Sequence, residues 1–286
     1  MRRTLVACVA ILVATTLTGC GGGDGAEPKG RASSSSSTTS YVALGDSYTA
    51  APLVPTTDTA SVCLRSDHNY PHLLAGMLGD TTLTDVSCSG ATTSALTGSW
   101  KGLAPQLDAV TKDTDLVTVG IGANDFGLTR ILFYQCRIVR PQSPTGSPCR
   151  TKWASWVRAA LPQLEKNVTK VLRDVRERAP QARIIAVGYP QVLPASGSCA
   201  AMRVAAGDVA FIRALIDDID EAVLAAARAA NVDSLDLREA SASHDMCSSD
   251  PWINGVVNLP GKAAAMHPFE NEQQAVASLL AKMIKD

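Results

Sequence analysis

The sequence predicts an α/β protein, a three-layer α/β/α sandwich around about five parallel strands. Three observations predict it. Short apolar runs rich in β-branched residues each end at a glycine or a turn, longer stretches of helical period separate them, and loops of Gly, Ser, Asn and Asp follow the runs. Strands that alternate with helices pair in parallel, because a right-handed crossover is what packs the helix back onto a twisted sheet.

In chain order, residues 41–44 form the first strand and close at Gly45-Asp46, and residues 70–78 form a helix. Residues 82–86 are a weaker strand, flanked by Gly79-Asp80 and by a Ser and Gly cluster. Residues 116–121 are a β-branched strand ending at Gly122, and 153–178 are helical with an interruption expected at Pro162. Residues 183–187 are a strand ending at Gly188. In 209–230, Ile212, Leu215, Ile216, Ile219, Val223 and Leu224 recur at helical spacing with Arg213, Asp217, Asp220 and Glu221 between them. Residues 232–237 are the last strand and 270–284 the last helix. In such sheets reactive groups sit in the loops beyond the carboxyl ends of the strands.

The chain has 286 residues, of which 46% are hydrophobic and 19% charged, enough apolar material for a sizeable core. That excludes disorder throughout. With 26 basic and 27 acidic side chains there is no electrostatic case for wrapping nucleic acid, and the only long apolar run, at the N-terminus, excludes a polytopic membrane protein. The 8 cysteines ask for an oxidising compartment or a metal, and the 4 histidines give a metal little help. His68, His72 and His244 show no metal-ligand spacing, so no metal and no organic cofactor is expected.

Arg2 and Arg3, an apolar and small stretch over 5–16, and Leu17-Thr18-Gly19-Cys20 read as an export signal over 1–19. It resembles a bacterial lipoprotein signal, which implies that Cys8 is discarded and Cys20 carries lipid. Residues 20–40 are then a lipidated cysteine and a Gly/Ser tether with a reach of ~25 Å, and 41–286 are one domain. The expected location is the outer face of the cell membrane, with the anchor on Cys20 as the membrane contact and the protein a monomer.

Four short blocks stand at strand ends. Gly45-Asp46-Ser47-Tyr48 follows the first strand, Ser87-Cys88-Ser89-Gly90-Ala91 the second and Gly122-Ala123-Asn124-Asp125 the third, while His267-Pro268 precedes the last helix. A serine one step past a strand-end turn exposes its hydroxyl at the mouth of the sheet. Together these blocks resemble the SGNH hydrolase family, also called GDSL esterases and lipases, in order and placement, over essentially the whole exported domain.

The resemblance implies a flavodoxin-like SGNH fold with Ser47 as nucleophile and His267 as general base. It implies an oxyanion hole of the Ser47 and Gly90 backbone N–H groups and the Asn124 amide, and an acyl or lipid ester as substrate. One position departs from the family. The usual acid three residues before the histidine is Ala264, so a Ser47–His267 dyad oriented by a backbone carbonyl at Ala264 or Ala265 is expected. Asp245, Asp250 and Glu270 are the competing displaced acids. Two other readings of the whole are an O-acetyl esterase acting on cell-envelope polysaccharide and a non-catalytic envelope-binding lipoprotein.

Other motifs fall away. There is no Gly-x-Ser-x-Gly elbow and no Gly-Lys-Ser phosphate loop, and Gly120-Ile121-Gly122 lacks the third glycine of a dinucleotide turn. The interval 126–164 carries Arg130, Arg137, Arg140, Arg150, Lys152 and Arg158 and no acid, with an apolar cluster at 131–134, Ile138, Val139, Trp153 and Trp156. It is expected to overhang the site as an acyl-binding wall whose basic residues face anionic lipid or substrate. For the six cysteines left in the domain, the resemblance and the layout favour neighbours in sequence: Cys63 with Cys88, Cys136 with Cys149, Cys199 with Cys247.

Overall fold

The structure is a computed structural model that describes residues 38–286. The expected signal, the lipidated Cys20 and nearly all of the tether lie outside the described residues.

The elements in chain order are β1 (Thr39–Gly45), α1 (Ser47–Ala50), α2 (Tyr70–Leu78), β2 (Thr81–Asp85) and β3 (Leu116–Gly120). They continue with α3 (Pro148–Arg178), β4 (Arg183–Val187), α4 (Val209–Ala230), β5 (Asp233–Leu235) and α5 (Glu270–Lys285). All strand pairs are parallel, in the order β2-β1-β3-β4-β5. The order reverses between β1 and β3, and the crevice for a ligand opens where the crossovers diverge, at the carboxyl ends of those two strands.

Two apolar layers flank the sheet. One face of the strands, with Val42, Leu44, Val117, Val119 and Ile184, packs against α3 and α4 through Leu164, Val168, Leu172, Leu215 and Ile219. The other, with Tyr41, Ala43, Leu116 and Ile185, packs against α2 and α5 through Leu74, Val276 and Leu280. β1 and β3 are buried on both faces, which is why they read as continuous apolar runs, while β2 alternates between half-buried and exposed residues and is the weakest strand in the sequence.

Three expectations need correction. β1 begins at Thr39, two residues earlier than the apolar run, because Thr39 and Ser40 pair with Thr81 and Thr82 and a backbone ladder does not require apolar side chains. The last strand is shorter than 232–237, since only Asp233–Leu235 find partners on β4. α3 runs unbroken through Pro162. Pro162 lies on the exposed face, where water can take the carbonyl that loses its helical partner, while Val157, Ala160, Leu164 and Val168 hold the opposite face in the core.

The three disulfides are Cys63–Cys88, Cys136–Cys149 and Cys199–Cys247, closing 25, 13 and 48 residues. The first ties the loop after α1 to the loop after β2, the second ties the segment after β3 to the start of α3, and the third joins the loops after β4 and β5. Each typically contributes about 2–4 kcal/mol by restricting the unfolded chain. All fasten loops at the carboxyl end of the sheet.

Candidate active site

A cleft of about 770 Å³ lies at the switch point and gathers Ser47, Gly90, Asn124 and His267, with Ala264 and Ala265 on its wall. Four blocks scattered over the sequence therefore meet in one place.

Ser47 is the first residue of α1, directly after Asp46, whose carboxylate accepts the Tyr48 N–H at 2.9 Å as the helix cap. The turn is pressed against the sheet: the Asp46 N–H donates to Gly120 O at 2.9 Å, and a Cβ on Gly45 would lie 2.9 Å from that same oxygen and collide with Thr49. Only glycine fits there. Asp46 is fully buried and also accepts the Tyr189 hydroxyl at 2.7 Å, and its burial pushes its pKa up to about 7.

Gly90 has φ +81°, a left-handed conformation that glycine adopts without strain, two residues after the Cys63–Cys88 bridge. Neither the Ser47 N–H nor the Gly90 N–H has a hydrogen-bond acceptor among the described residues. Asn124 is oriented from both ends. Its Oδ1 accepts the Thr129 hydroxyl at 2.7 Å and its Nδ2 donates to Ala91 O at 3.0 Å, leaving one amide hydrogen free.

Two residues to which the sequence reading gave no role lock these loops together. Asp125, buried, accepts the Thr93 N–H at 2.8 Å, the Thr93 hydroxyl and the Asn167 amide at 3.2 Å, so the Asn124 loop is bound to the Gly90 loop and to α3. Tyr189 accepts the Ala123 N–H at 3.1 Å while donating to Asp46, binding the Asn124 loop to the Ser47 turn. Nothing in spacing signalled Tyr189. Asp125 could have been found as the acidic neighbour of a strand-end asparagine.

His267 is half-buried, and its Nδ1 lies 2.7 Å from Ala265 O. Desolvation lowers its pKa below the ordinary 6.5, opposed by that hydrogen bond. Of the two carbonyls expected, Ala265 is the one that meets the imidazole. Ala264 O instead accepts the His267 N–H at 3.2 Å and the Asn254 amide at 2.9 Å. Asn254 also donates to Val257 O at 2.7 Å and Ala263 O at 3.2 Å, and Asn258 Oδ1 accepts the Ala265 N–H at 2.8 Å. Tyr48 tilts over the ring at 5.5 Å and donates its hydroxyl to Met266 O at 2.8 Å. Met266 sits at φ +62°, a strained position that this net of bonds maintains. No direct Ser47–His267 hydrogen bond is made among the described residues; such bonds often tighten only once substrate is bound.

None of the three competing carboxylates reaches His267. Asp245 accepts the Cys247 N–H at 2.7 Å, Asp250 lies 3.4 Å from His244 and Glu270 lies 3.8 Å from His68. His244 stacks on Trp252 and His72 bonds Asn69 at 2.7 Å, so these histidines have structural surroundings.

The interval after Asn124 supplies part of one wall. Thr129, Phe133, Tyr134 and Arg137 line the cleft, and a small apolar recess bounded by Tyr48, Leu132, Phe133, Tyr189 and Ile219 adjoins it. Trp153 and Trp156, expected in that wall, do not line it. α3 carries them away from the cleft, and Trp156 instead donates its indole N–H to Phe126 O at 3.1 Å. Of the six basic residues only Arg137 reaches the cleft.

Comparison with known proteins identifies the family. Residues 43–269 match the GDSL-like Lipase/Acylhydrolase family. The chain is 39% identical over 228 residues to Lipase 2 of Streptomyces coelicolor, covering 76% of each protein. It is 34% identical over 239 residues to a lipase of Streptomyces rimosus, covering 82% of each. The crystal structure of the extracellular lipase of Streptomyces rimosus superposes with a TM-score of 0.73 at 30% identity, over 85% of this chain and 99% of that one. Phospholipase A1 of Streptomyces albidoflavus superposes with a TM-score of 0.71 at 26% identity, over 87% of this chain and all of that one. With its four blocks gathered in one cleft and this match across most of its length, the chain belongs to the GDSL-like lipase/acylhydrolase family and is an ester hydrolase.

Proposed function

We propose that the protein hydrolyses acyl esters through an acyl-Ser47 intermediate formed by a Ser47–His267 dyad. The observation that carries this reading is the 2.7 Å contact between His267 Nδ1 and Ala265 O. With the proton held on Nδ1 by the carbonyl, Nε2 is the basic nitrogen. It takes the Ser47 proton as Oγ attacks the ester carbonyl and returns it to the leaving alcohol. Water then repeats the cycle on the acyl-enzyme, releasing the acid. The lowered His267 pKa keeps the ring neutral, and ready as a base, at neutral pH.

Charge developing on the carbonyl oxygen meets the free N–H groups of Ser47 and Gly90 and the free Asn124 amide hydrogen. Donors fixed in advance stabilise the transition state without reorganising, and each is typically worth ~3 kcal/mol. Phe133 and the apolar recess suit the acyl chain. The enzyme is exported and held to the membrane by lipid on Cys20, and works as a monomer without metal or organic cofactor.

An organophosphonate is expected to label the protein once, with no labelling of Ser47→Ala. Labelling of that variant would sink the acyl-serine mechanism. Rates across an ester chain-length series distinguish a lipase, which favours long chains, from a deacetylase. Incorporation of a fatty-acid probe, lost in Cys20→Ala, checks the anchor.

A further inference from the structure

The helical run from residue 128 to 139 widens into a π-turn at Ile131–Gln135 and has two faces. Its inner face sends Phe133 and Arg137 to the cleft and packs Ile131, Cys136 and Val139 into the core. Its outer face leaves Arg130, Tyr134 and Ile138 exposed on successive turns, with Tyr134 at 62% and Ile138 at 66%. Beside it, Phe126 is 39% exposed and Trp156 51% exposed, joined by the bond from the indole to Phe126 O. Single exposed apolar residues are ordinary on a soluble surface. Tyr134 and Ile138 on this run, with Phe126 and Trp156 beside it, make four large ones together, and such a group next to a cleft marks a contact surface. Leu64 and Val257, also exposed, line the same cleft from other loops.

Charge is the second observation. The chain has 26 basic and 27 acidic residues, yet 126–164 holds six of the basic residues and none of the acidic ones. With no acid in the segment, none of these six cations is ion-paired among the described residues, and Arg130 and Arg140 are exposed. Apolar tips interspersed with unpaired cations suit an extended anionic interface.

We propose that this face docks on an anionic phospholipid bilayer and sets the cleft mouth against the headgroups. Phe126, Tyr134, Ile138 and Trp156 enter the interfacial layer, and Arg130 and Arg140 meet lipid phosphates. Because Tyr134 belongs both to the docking face and to the cleft wall, an ester leaving the bilayer reaches the cleft without crossing bulk water. Docking does not depend on the acyl-serine chemistry, so it is measured with catalysis removed.

The test uses the full chain carrying Cys20→Ala, which removes any lipid anchor, and Ser47→Ala, which spares the vesicles. It is sedimented with vesicles of phosphatidylcholine alone or mixed with phosphatidylglycerol. The expected result is at least about 10-fold tighter binding to the anionic vesicles, weakening as salt is raised. Arg130→Glu/Arg140→Glu abolishes that preference, and Ile138→Ser weakens binding to both vesicles. With Ser47 restored, the charge-reversed protein keeps its rate on a soluble short-chain ester and loses rate on ester carried in anionic vesicles. Equal binding to the two vesicles, no binding, or unchanged binding by variants that melt like the parent overturns the proposal. So does a parallel fall in both rates. Should charge reversal prevent folding, Arg130→Gln/Arg140→Gln makes the same comparison with a smaller expected loss.

Discussion

The turn that carries Ser47 and the loop that carries His267 meet in one cleft but are held in place differently. Around Ser47 the bonds are mostly local or made to adjacent strands: Asp46 caps its own helix, Ala51 N–H returns to Ser47 O at 2.9 Å, and Gly45 pairs with Gly120 across β1 and β3. Around His267 there is no regular element. Asn254 gathers three carbonyls, Asn258 fixes the Ala265 peptide, Ala264 N–H reaches Pro52 O at 3.0 Å and Tyr48 holds Met266 from the far end of the chain. The nucleophile takes most of its placement from the sheet, braced by Gln106 and Tyr189, whereas a histidine without an acid needs a loop shaped to aim a carbonyl.

If that contrast is right, substitutions divide by region. The largest effect is expected from Ser47→Ala or His267→Ala, a loss of about 10⁴-fold or more in kcat with an unchanged melting temperature. Circular dichroism with ester turnover checks it, and a folding defect in Ser47→Ala would mean that the turn depends on the hydroxyl. Asn124→Ala is next, with about 10²–10³-fold lost in kcat and little change in KM, as for a donor used mainly in the transition state.

Asn254→Ala tests the loop directly. We expect a loss of about 10-fold or more in kcat together with a melting temperature lowered by a few degrees, because three carbonyls lose one shared donor. A stability loss with kcat unchanged would mean that the loop is braced elsewhere. Asp245→Ala, Asp250→Ala and Glu270→Ala should each leave kcat within about 3-fold. In all three the acid limb of kcat/KM should remain below the ordinary imidazole value of 6.5, since desolvation sets it. A large loss at any one of them would restore a triad.

The smallest effect concerns stability alone. Glu272 is buried under the Ser47 turn beside Gln273, and burial raises its pKa from 4.5 to about 8. The folded state therefore keeps its proton longer than the unfolded state does, so the stability it contributes is complete below 4.5 and is lost as pH rises through about 8. Glu272→Gln should stabilise the protein at pH 9 by about 1–3 kcal/mol and change little at pH 4. Urea unfolding at the two pH values measures the difference.

The contrast also separates what was legible in the sequence from what was not. The buried strands β1, β3 and β4 and the helices α2 and α4 were legible because two-sided burial and helical period both leave a pattern in residue order. Ser47, Gly90, Asn124 and His267 could be singled out because their blocks, at strand ends and before a helix, resemble those of the family in order, and the structure brings the four into one cleft. Pro162 misled because its cost depends on which face of α3 meets water, and the Trp153 and Trp156 wall failed because the direction of α3 is fixed by packing on α4.

The sequence by itself determined the layered fold, the alternation of strands and helices along the chain, the four blocks and the absence of a carboxylate at Ala264, whereas the strand order β2-β1-β3-β4-β5 came from the structure. Only the tertiary structure decided that Ala265 rather than Ala264 faces the imidazole, that Asp125 and Tyr189 lock the loops together, and that one face of the 128–139 run is left bare. The reason is physical: periodicity and turn chemistry act over a few residues, while the aim of the Ala265 carbonyl is set by partners in an irregular loop and by Tyr48, 218 residues from Met266, that meet only when the chain closes.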